Sequence, residues 1–403
     1  MRSETQGAVE ALSPRSSSLS PLSIGIDASR SLRPEPTGTE FYSRQIIGHM
    51  LAAPSDHLAF RLYAPEEPTA EAMRGAAPPP HDQRAVTVRT LPGNRLWTHR
   101  TLAWEISRRP PHALFVPAHV VPFLPPALLP PTVVTLHDIG YRYFPRAHTA
   151  LQRLYLELST RWSTAAAQRI IAVSRHTAND LQRFYGVPEA KIRVIHEAPI
   201  PRPPVQHAAA NGRDAAPLSV SQRPFALYVG TIQPRKNLLR LVDAFARLIQ
   251  QHEIGWDLVL VGRRGWLSQE YERHTAARGL TGRVHFPGYL PDDAVAALME
   301  KALFFAFPSL FEGFGLPVLE AQTTGVAVMC AKNSALPEIA GDAALLVDPE
   351  NVDEIAAAML RLSQDENLRQ ELIAKGYENI KRFSWEKAAR ETLAVLEEAA
   401  AKK

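Results

Sequence analysis

The sequence predicts an α/β protein made of two doubly wound, parallel-sheet domains, and three observations carry that prediction. Short β-branched or aromatic runs alternate with helical patterns along most of the chain. A Pro- and Ala-rich stretch without apolar periodicity interrupts the alternation near the middle. The chain has 403 residues, long for a single core, so two domains is the natural division.

Residues 1–20 are rich in Ser, Glu and Arg, lack the apolar core of a signal peptide, and read as a disordered tail. Leu22 to Ile26 is a strand candidate ending at Asp27, followed by a Pro-interrupted loop, Thr37-Gly38-Thr39, and a helix from about Thr39. Ala113 to Leu129 is broken by prolines and reads as a strand plus irregular loops. Thr132 to Leu136 is a strand ended by His137-Asp138. Arg169 to Val173 is another, halted by Ser174, which reads as the N-cap of a helix to Tyr185. Lys191 to Ile195 is a third. Pro199 to Pro224 reads as a linker. Beyond it come strands at Phe225–Val229, Leu258–Val261, Val284–Phe286, Leu303–Phe307, Val326–Met329 and Leu345–Val347. Ser384 to Ala401 is a helix with Trp385, Ala388, Ala389, Leu393, Val395 and Leu396 at helical spacing. The expected division is 1–20 tail, 21–200 N-terminal Rossmann-like domain, 201–223 linker, 224–382 C-terminal domain and 383–403 terminal helix. Ligands of such folds gather at the carboxyl ends of the strands, here in the cleft between domains.

Hydrophobic content of 45% and charged content of 21% suit a globular domain protein. Cys330 is the single cysteine, which excludes an internal disulfide framework. No Cys–His cluster has metal-ligand spacing, and no uninterrupted apolar stretch reaches transmembrane length. Residues 1–200 carry 22 Lys+Arg against 16 Asp+Glu, and the remainder 23 against 25. That excess suits solubility, or an anionic acceptor or membrane surface facing the N-terminal half.

The segment Pro308 to Gly325, P-S-L-F-E-G-F-G-L-P-V-L-E-A-Q-T-T-G, carries most of the chemistry. A buried strand leads into a glycine loop and then a helix opening near Leu316, with Pro317 in its first turn, where a missing N–H costs nothing. Bare glycine backbone at a helix N-terminus suits a phosphate or oxyanion. Glu312 stands above that pocket, and Glu320 about a turn inside the helix. Phe225 to Leu238, F-A-L-Y-V-G-T-I-Q-P-R-K-N-L, ends a strand at Gly230 and sets Arg235-Lys236 at the next helix entry. The glycine admits a ligand to the backbone and the cations neutralise a diphosphate. Lysine is scarce, 9 against 36 arginines, so Lys236 is not background.

Glu312-x7-Glu320 enclosing Gly-Phe-Gly-Leu-Pro resembles the donor-site signature of the family 4 retaining glycosyltransferases, which have the GT-B fold: two Rossmann-like domains facing across a cleft, with a C-terminal helix crossing back to the first. The resemblance runs from about Ser23 to Trp385. It implies transfer of a hexose from a nucleoside diphosphate sugar to a hydroxyl of a glycan or lipid-linked acceptor, with retention, in cell-surface polysaccharide or lipopolysaccharide assembly. The Gly-Thr-x3-Arg-Lys-Asn form of the loop points to mannose. Residue by residue it implies that Glu312 holds sugar hydroxyls, Glu320 the ribose, and Arg235 and Lys236 the departing diphosphate. Thr231 stands where many members have arginine. His137 is placed against the transferred sugar, Gly38 in the glycine loop near donor phosphate and acceptor, and Gly262 and Arg263 around the base. Gly313, Phe314, Gly315 and Leu316 form the donor loop, with Gly230 and Thr231 beside it. No metal or other cofactor is expected and no nucleic acid partner. The expected location is cytoplasmic, with peripheral association at the inner membrane surface. A sugar-nucleotide 2-epimerase of the same fold and a non-catalytic carbohydrate-binding protein are the alternatives.

Overall fold

The computed structural model describes residues 21–31, 38–53, 57–67, 86–93, 96–118, 120–199, 220–263 and 268–401. The expected tail and most of the expected linker lie outside these residues.

Two parallel sheets organise the chain. The first has the order β3-β2-β1-β4-β5-β6-β7, built from β1 Leu22–Asp27, β2 Leu58–Ala64, β3 Val86–Thr90, β4 Ala113–Val116, β5 Thr132–Leu136, β6 Arg169–Ala172 and β7 Ile192–Val194. The second has the order β10-β9-β8-β11-β12-β13, from β8 Phe225–Val229, β9 Asp257–Val261, β10 Val284–Gly288, β11 Phe304–Phe307, β12 Val328–Ala331 and β13 Ala344–Val347. Strand order reverses where β1 meets β4 and where β8 meets β11, and at such switch points a crevice opens at the strand carboxyl ends. The central strands are buried throughout, TVVTL in β5 and FFAF in β11, because helices cover both faces. Edge strand β3, VTVRT, has no fully buried residue, which is why its sequence gives little strand signal.

The helices that shape the site are α1 Gly38–Ala52, α2 Ala150–Ala166, α3 Arg175–Tyr185, α4 Leu238–Gln251, α5 Leu316–Thr323, α6 Leu336–Ala340 and α7 Trp385–Ala401. Ser174 caps α3 by accepting from the Thr177 backbone N–H, and Gly186 ends it in the left-handed conformation at φ 63°. Helix α7 returns to the first domain. It buries Trp385, Ala388, Ala389 and Leu396 in the core that holds Ile24, Ile46 and Phe115, with Trp385 packed 5.9 Å from the Phe41 ring and 5.8 Å from Tyr42. Phe314, Leu319 and Ile339 of the second half join that same core, so the two halves are packed together through apolar contact.

A polar latch reinforces the junction. The Glu338 carboxylate, in α6, accepts from the backbone N–H groups of Arg175 (2.9 Å) and His176, and its other oxygen lies 2.7 Å from His196 Nε2. A carboxylate from one domain therefore satisfies the helix terminus of the other, a favourable charge–dipole arrangement. The side chain of Arg175 lies away from the interdomain cleft, beside Arg382 and Lys387. Among the described residues no helix is long and apolar enough to cross a membrane.

Candidate active site

The cleft between the sheets encloses a cavity of about 870 Å³ lined from both domains. Twelve of the fourteen residues singled out from sequence line it: Gly38 and His137 from the first domain, and Thr231, Arg235, Lys236, Arg263, Glu312, Gly313, Phe314, Gly315, Leu316 and Glu320 from the second.

Gly230 and Gly262 are not among the residues that line it. They stand behind the wall, where strand ends crowd one another. A Cβ on Gly262 would fall 1.9 Å from the Gly230 carbonyl oxygen, so the close packing of backbone on backbone there requires glycine. Thr231 and Arg263 are left to face the cavity. Arg263 carries its guanidinium 4.9 Å from the centre of the Tyr289 ring, giving that end of the cleft a planar, cationic surface.

The centre of the site is an ionic cluster. Asn237, in the left-handed conformation at φ 63°, ends the turn Pro234–Lys236 and starts α4. Its amide donates to the Pro308 carbonyl at 3.0 Å, and Leu310 N–H donates to the Arg235 carbonyl at 2.8 Å. Those bonds hold the basic turn against the glutamate loop. Glu312 then takes Lys236 Nζ at 2.5 Å and Ser309 Oγ at 2.6 Å on Oε1, and Arg235 Nη1 at 2.9 Å on Oε2. Lys236 also sits 4.8 Å from the Phe307 ring centre.

Charge states follow from these contacts. Burial alone would raise the Glu312 pKa, but Lys236 and Arg235 outweigh it and pull the value down to about 2. Burial, together with the neighbouring Arg235, lowers Lys236 to about 8 against the pull of Glu312, leaving it charged at neutral pH. Burial opposes the Arg235 charge, but Glu312 and Asp138 raise its pKa. Both cations are bonded to the one Glu312 carboxylate, with Asp138 near as a second counter-charge, and they are the groups that can face a further anion.

The loop running into α5 supplies neutral donors beside it. Gly315 has φ 118°, which favours glycine, and a Cβ there would meet Leu336 at 2.7 Å. Helix α5 starts at Leu316 with Pro317 in its first turn, so its amide end points into the cavity that Glu320 flanks from within the helix. Gly313 has a different reason to be glycine. Its Cβ would lie 2.2 Å from the His137 carbonyl oxygen, and its own carbonyl accepts from Ser174 Oγ at 2.7 Å. The donor-side loop is thus bolted to the first domain, an interdomain contact that reading the loop as phosphate-binding glycines alone does not anticipate.

His137 lies on the cavity wall, but its ring nitrogens turn inward. Nδ1 is 2.9 Å from Glu197 Oε1 and Nε2 is 3.0 Å from the Pro117 carbonyl oxygen. The ring therefore brings charge to the cleft, not an unengaged nitrogen as its expected place against the sugar would suggest. Asp138 accepts from Gly140 N–H at 2.8 Å, closing the turn after β5. Sequence reading missed Glu197 and Ser309. Glu197 lies in the loop after β7, beyond Ile195 and His196, and position after a strand was the signal available; Ser309 offered none. Among the described residues no group of three or more His, Cys, Asp or Glu side chains could hold a metal ion.

Residues 213–379 match the family model for glycosyl transferases group 1, and residues 38–198 match that for glycosyltransferase family 4. The O-antigen chain mannosyltransferase B of Escherichia coli is 35% identical over 279 residues, covering 67% of this chain and 71% of that protein. Serotype-specific mannosyltransferase WbdA of Escherichia coli is 33% identical over 167 residues, 41% of this chain and only 20% of the longer relative. Among solved structures, sucrose-phosphate synthase from Thermosynechococcus elongatus superposes with a TM-score of 0.68 at 20% identity, covering 94% of this chain and 100% of that one. Anabaena HepE, solved in complex with UDP and glucose, gives a TM-score of 0.65 at 17% identity, covering 93% and 99%. Those two likenesses establish the GT-B arrangement of paired parallel-sheet domains. The chain is a hexosyltransferase and belongs to glycosyltransferase family 4.

Proposed function

We propose that the protein transfers mannose from a nucleoside diphosphate donor to a hydroxyl of a glycan or lipid-linked acceptor, with retention of anomeric configuration, in cell-surface polysaccharide assembly. The observation that carries the site chemistry is the pairing of Arg235 and Lys236 on Glu312, set beside the amide end of α5. Two mannosyltransferase relatives support the choice of sugar.

In this reading the donor diphosphate lies across Arg235, Lys236 and the first amides of α5, with the base toward Arg263 and Tyr289 and the ribose at Glu320. The bond between the anomeric carbon and the diphosphate oxygen breaks, and its electron pair leaves with the diphosphate. Arg235 and Lys236 stabilise that charge as it develops, which is where electrostatic preorganisation counts most. The acceptor oxygen bonds to the same face of the anomeric carbon and gives its proton to the departing diphosphate oxygen. Glu312 holds both cations in place and orders sugar hydroxyls. No divalent ion is required, because the cations take its electrostatic part. An epimerase would need a proton-moving group at the sugar, and His137, with both nitrogens engaged inside the protein, is poorly suited to that work. We place the enzyme in the cytoplasm, at the inner membrane surface where a lipid-linked acceptor would be met.

Screening nucleoside diphosphate sugars by thermal shift tests the donor, since a bound ligand stabilises the fold by mass action. A guanosine diphosphate mannose shift exceeding that of the other sugar nucleotides supports the assignment. A larger shift with a different donor, retained on turnover, replaces it.

A further inference from the structure

Helix α2 is built inside out. Its buried side chains are Ser159, Thr160, Ser163 and Thr164, and Ser163 Oγ accepts from the Val121 N–H at 3.0 Å. Its outer face presents Leu151, Leu154, Tyr155 and Leu158, which are 80%, 55%, 47% and 54% exposed. The spacing i, i+3, i+4, i+7 puts these four on one stripe, the pattern that normally faces a core. The stripe continues through rings. The Tyr155 hydroxyl is 3.2 Å from His99 Nε2, and the His99 ring stacks at 4.2 Å on Phe123, itself 43% exposed. Scattered exposed leucines need no explanation, but a contiguous patch of this kind marks an interaction surface.

The charges around the stripe say what covers it. From Ile139 to Ala166 the only acidic residue is Glu157, already held by Arg142 and Arg161. Arg146 and Arg153 stand exposed beside the leucines. Apolar side chains with cations at their margins match an anionic bilayer, into which the former insert while the latter meet headgroups. A second copy would set the same arginines against each other, and like charges at close range repel. The helix also lies beside the cleft: its Glu157 holds Arg142, and the next residue, Tyr143, stacks its ring 4.5 Å from that of Phe311, which precedes Glu312 on the cavity wall.

We propose that the outer face of α2 docks the enzyme on an anionic lipid bilayer, with the first-domain side of the cleft turned to the membrane. The use of this docking, delivery of a lipid-linked acceptor, rests on the function proposed above; the docking itself does not.

The test is sedimentation of the full chain with vesicles of phosphatidylglycerol and phosphatidylethanolamine, against vesicles of phosphatidylcholine. Wild-type protein should pellet with the anionic vesicles, less with the neutral ones, and be released by salt. A Leu151→Glu, Leu154→Glu, Leu158→Glu variant should lose about tenfold or more of that partition while keeping its Tm and donor hydrolysis, because the three side chains are exposed. Arg146→Gln with Arg153→Gln should lose the preference for anionic vesicles. Absence of wild-type binding to anionic vesicles, wild-type-like binding by the leucine variant, or a wild-type dimer that the leucine variant dissociates would each overturn the proposal. Absence of donor hydrolysis in wild type would instead sink the proposed transfer and leave the vesicle result standing.

Discussion

Glu197 and His137 form a buried pair, Oε1 to Nδ1 at 2.9 Å, and the second ring nitrogen faces the Pro117 carbonyl oxygen at 3.0 Å. Both neighbours are acceptors, so satisfying both needs two ring N–H groups, which only the imidazolium has. Burial opposes that charge, but Glu197 prevails and the His137 pKa is raised above 6.5. A raised folded-state pKa contributes stability that is fully present below the unfolded value and is lost as pH rises through the folded one. Glu197→Gln should therefore lower the His137 pKa, read by the ring proton shifts in NMR, and flatten this alkaline loss of Tm. Transfer should fall roughly tenfold to a hundredfold as the charge at the cleft wall is lost. An unmoved His137 pKa in the variant would refute the pairing.

Lys236 and Glu312 should separate activity from stability. Lys236→Ala leaves Glu312 matched by Arg235, so the fold should persist while turnover falls by about a hundredfold or more. Glu312→Ala leaves two cations in the cluster without their carboxylate, a change expected to cost on the order of 3 kcal/mol besides activity. Thermal unfolding and donor hydrolysis measured on both variants check the contrast. Equal Tm values would contradict it.

The same pair sets a pH window. With Lys236 at about 8, donor turnover should decline as pH rises above that value, and a bound diphosphate should shift the decline upward. Glu312, held at about 2 against an ordinary 4.5, contributes stability that is present above the ordinary value and lost as pH falls toward 2. A pH profile of turnover with and without saturating donor checks the first statement, and acid unfolding of Glu312→Gln against wild type checks the second.

Gly313→Ala probes the interdomain bolt. The added methyl would press on the His137 carbonyl, so either the loop carrying Glu312 or the end of β5 must move. Overpacking of this kind costs roughly 1–3 kcal/mol, and a shift of Glu312 should lower turnover without a matching rise in donor KM. Unchanged Tm and turnover would show that the loop yields freely.

The β-branched and apolar runs of β5, β8 and β11 made the parallel sheets legible in sequence, since strands covered on both faces show no polar alternation. Strands β2 and β3 were not legible: β2 is interrupted by the half-buried Arg61, and edge strand β3 mixes exposed polar with apolar residues. The basic turn and the glutamate loop could be placed in the cleft because each directly follows a strand end. Their mutual ion pairing could not, because Lys236 and Glu312 are 76 residues apart and only the β8–β11 pairing brings them together. The glycines divide the same way. Gly315 obeys a local φ requirement, whereas Gly313 and Gly262 are fixed by distant backbone that no local pattern reveals.

The most direct test follows nucleoside diphosphate release and the anomeric proton of the product by NMR, for wild type and Lys236→Ala with a nucleoside diphosphate mannose donor. Stoichiometric diphosphate release, a product with the donor's anomeric configuration, and a loss of about a hundredfold or more in the variant are expected. An inverted product, an epimer formed without diphosphate release, or wild-type turnover by Lys236→Ala would contradict the proposed transfer.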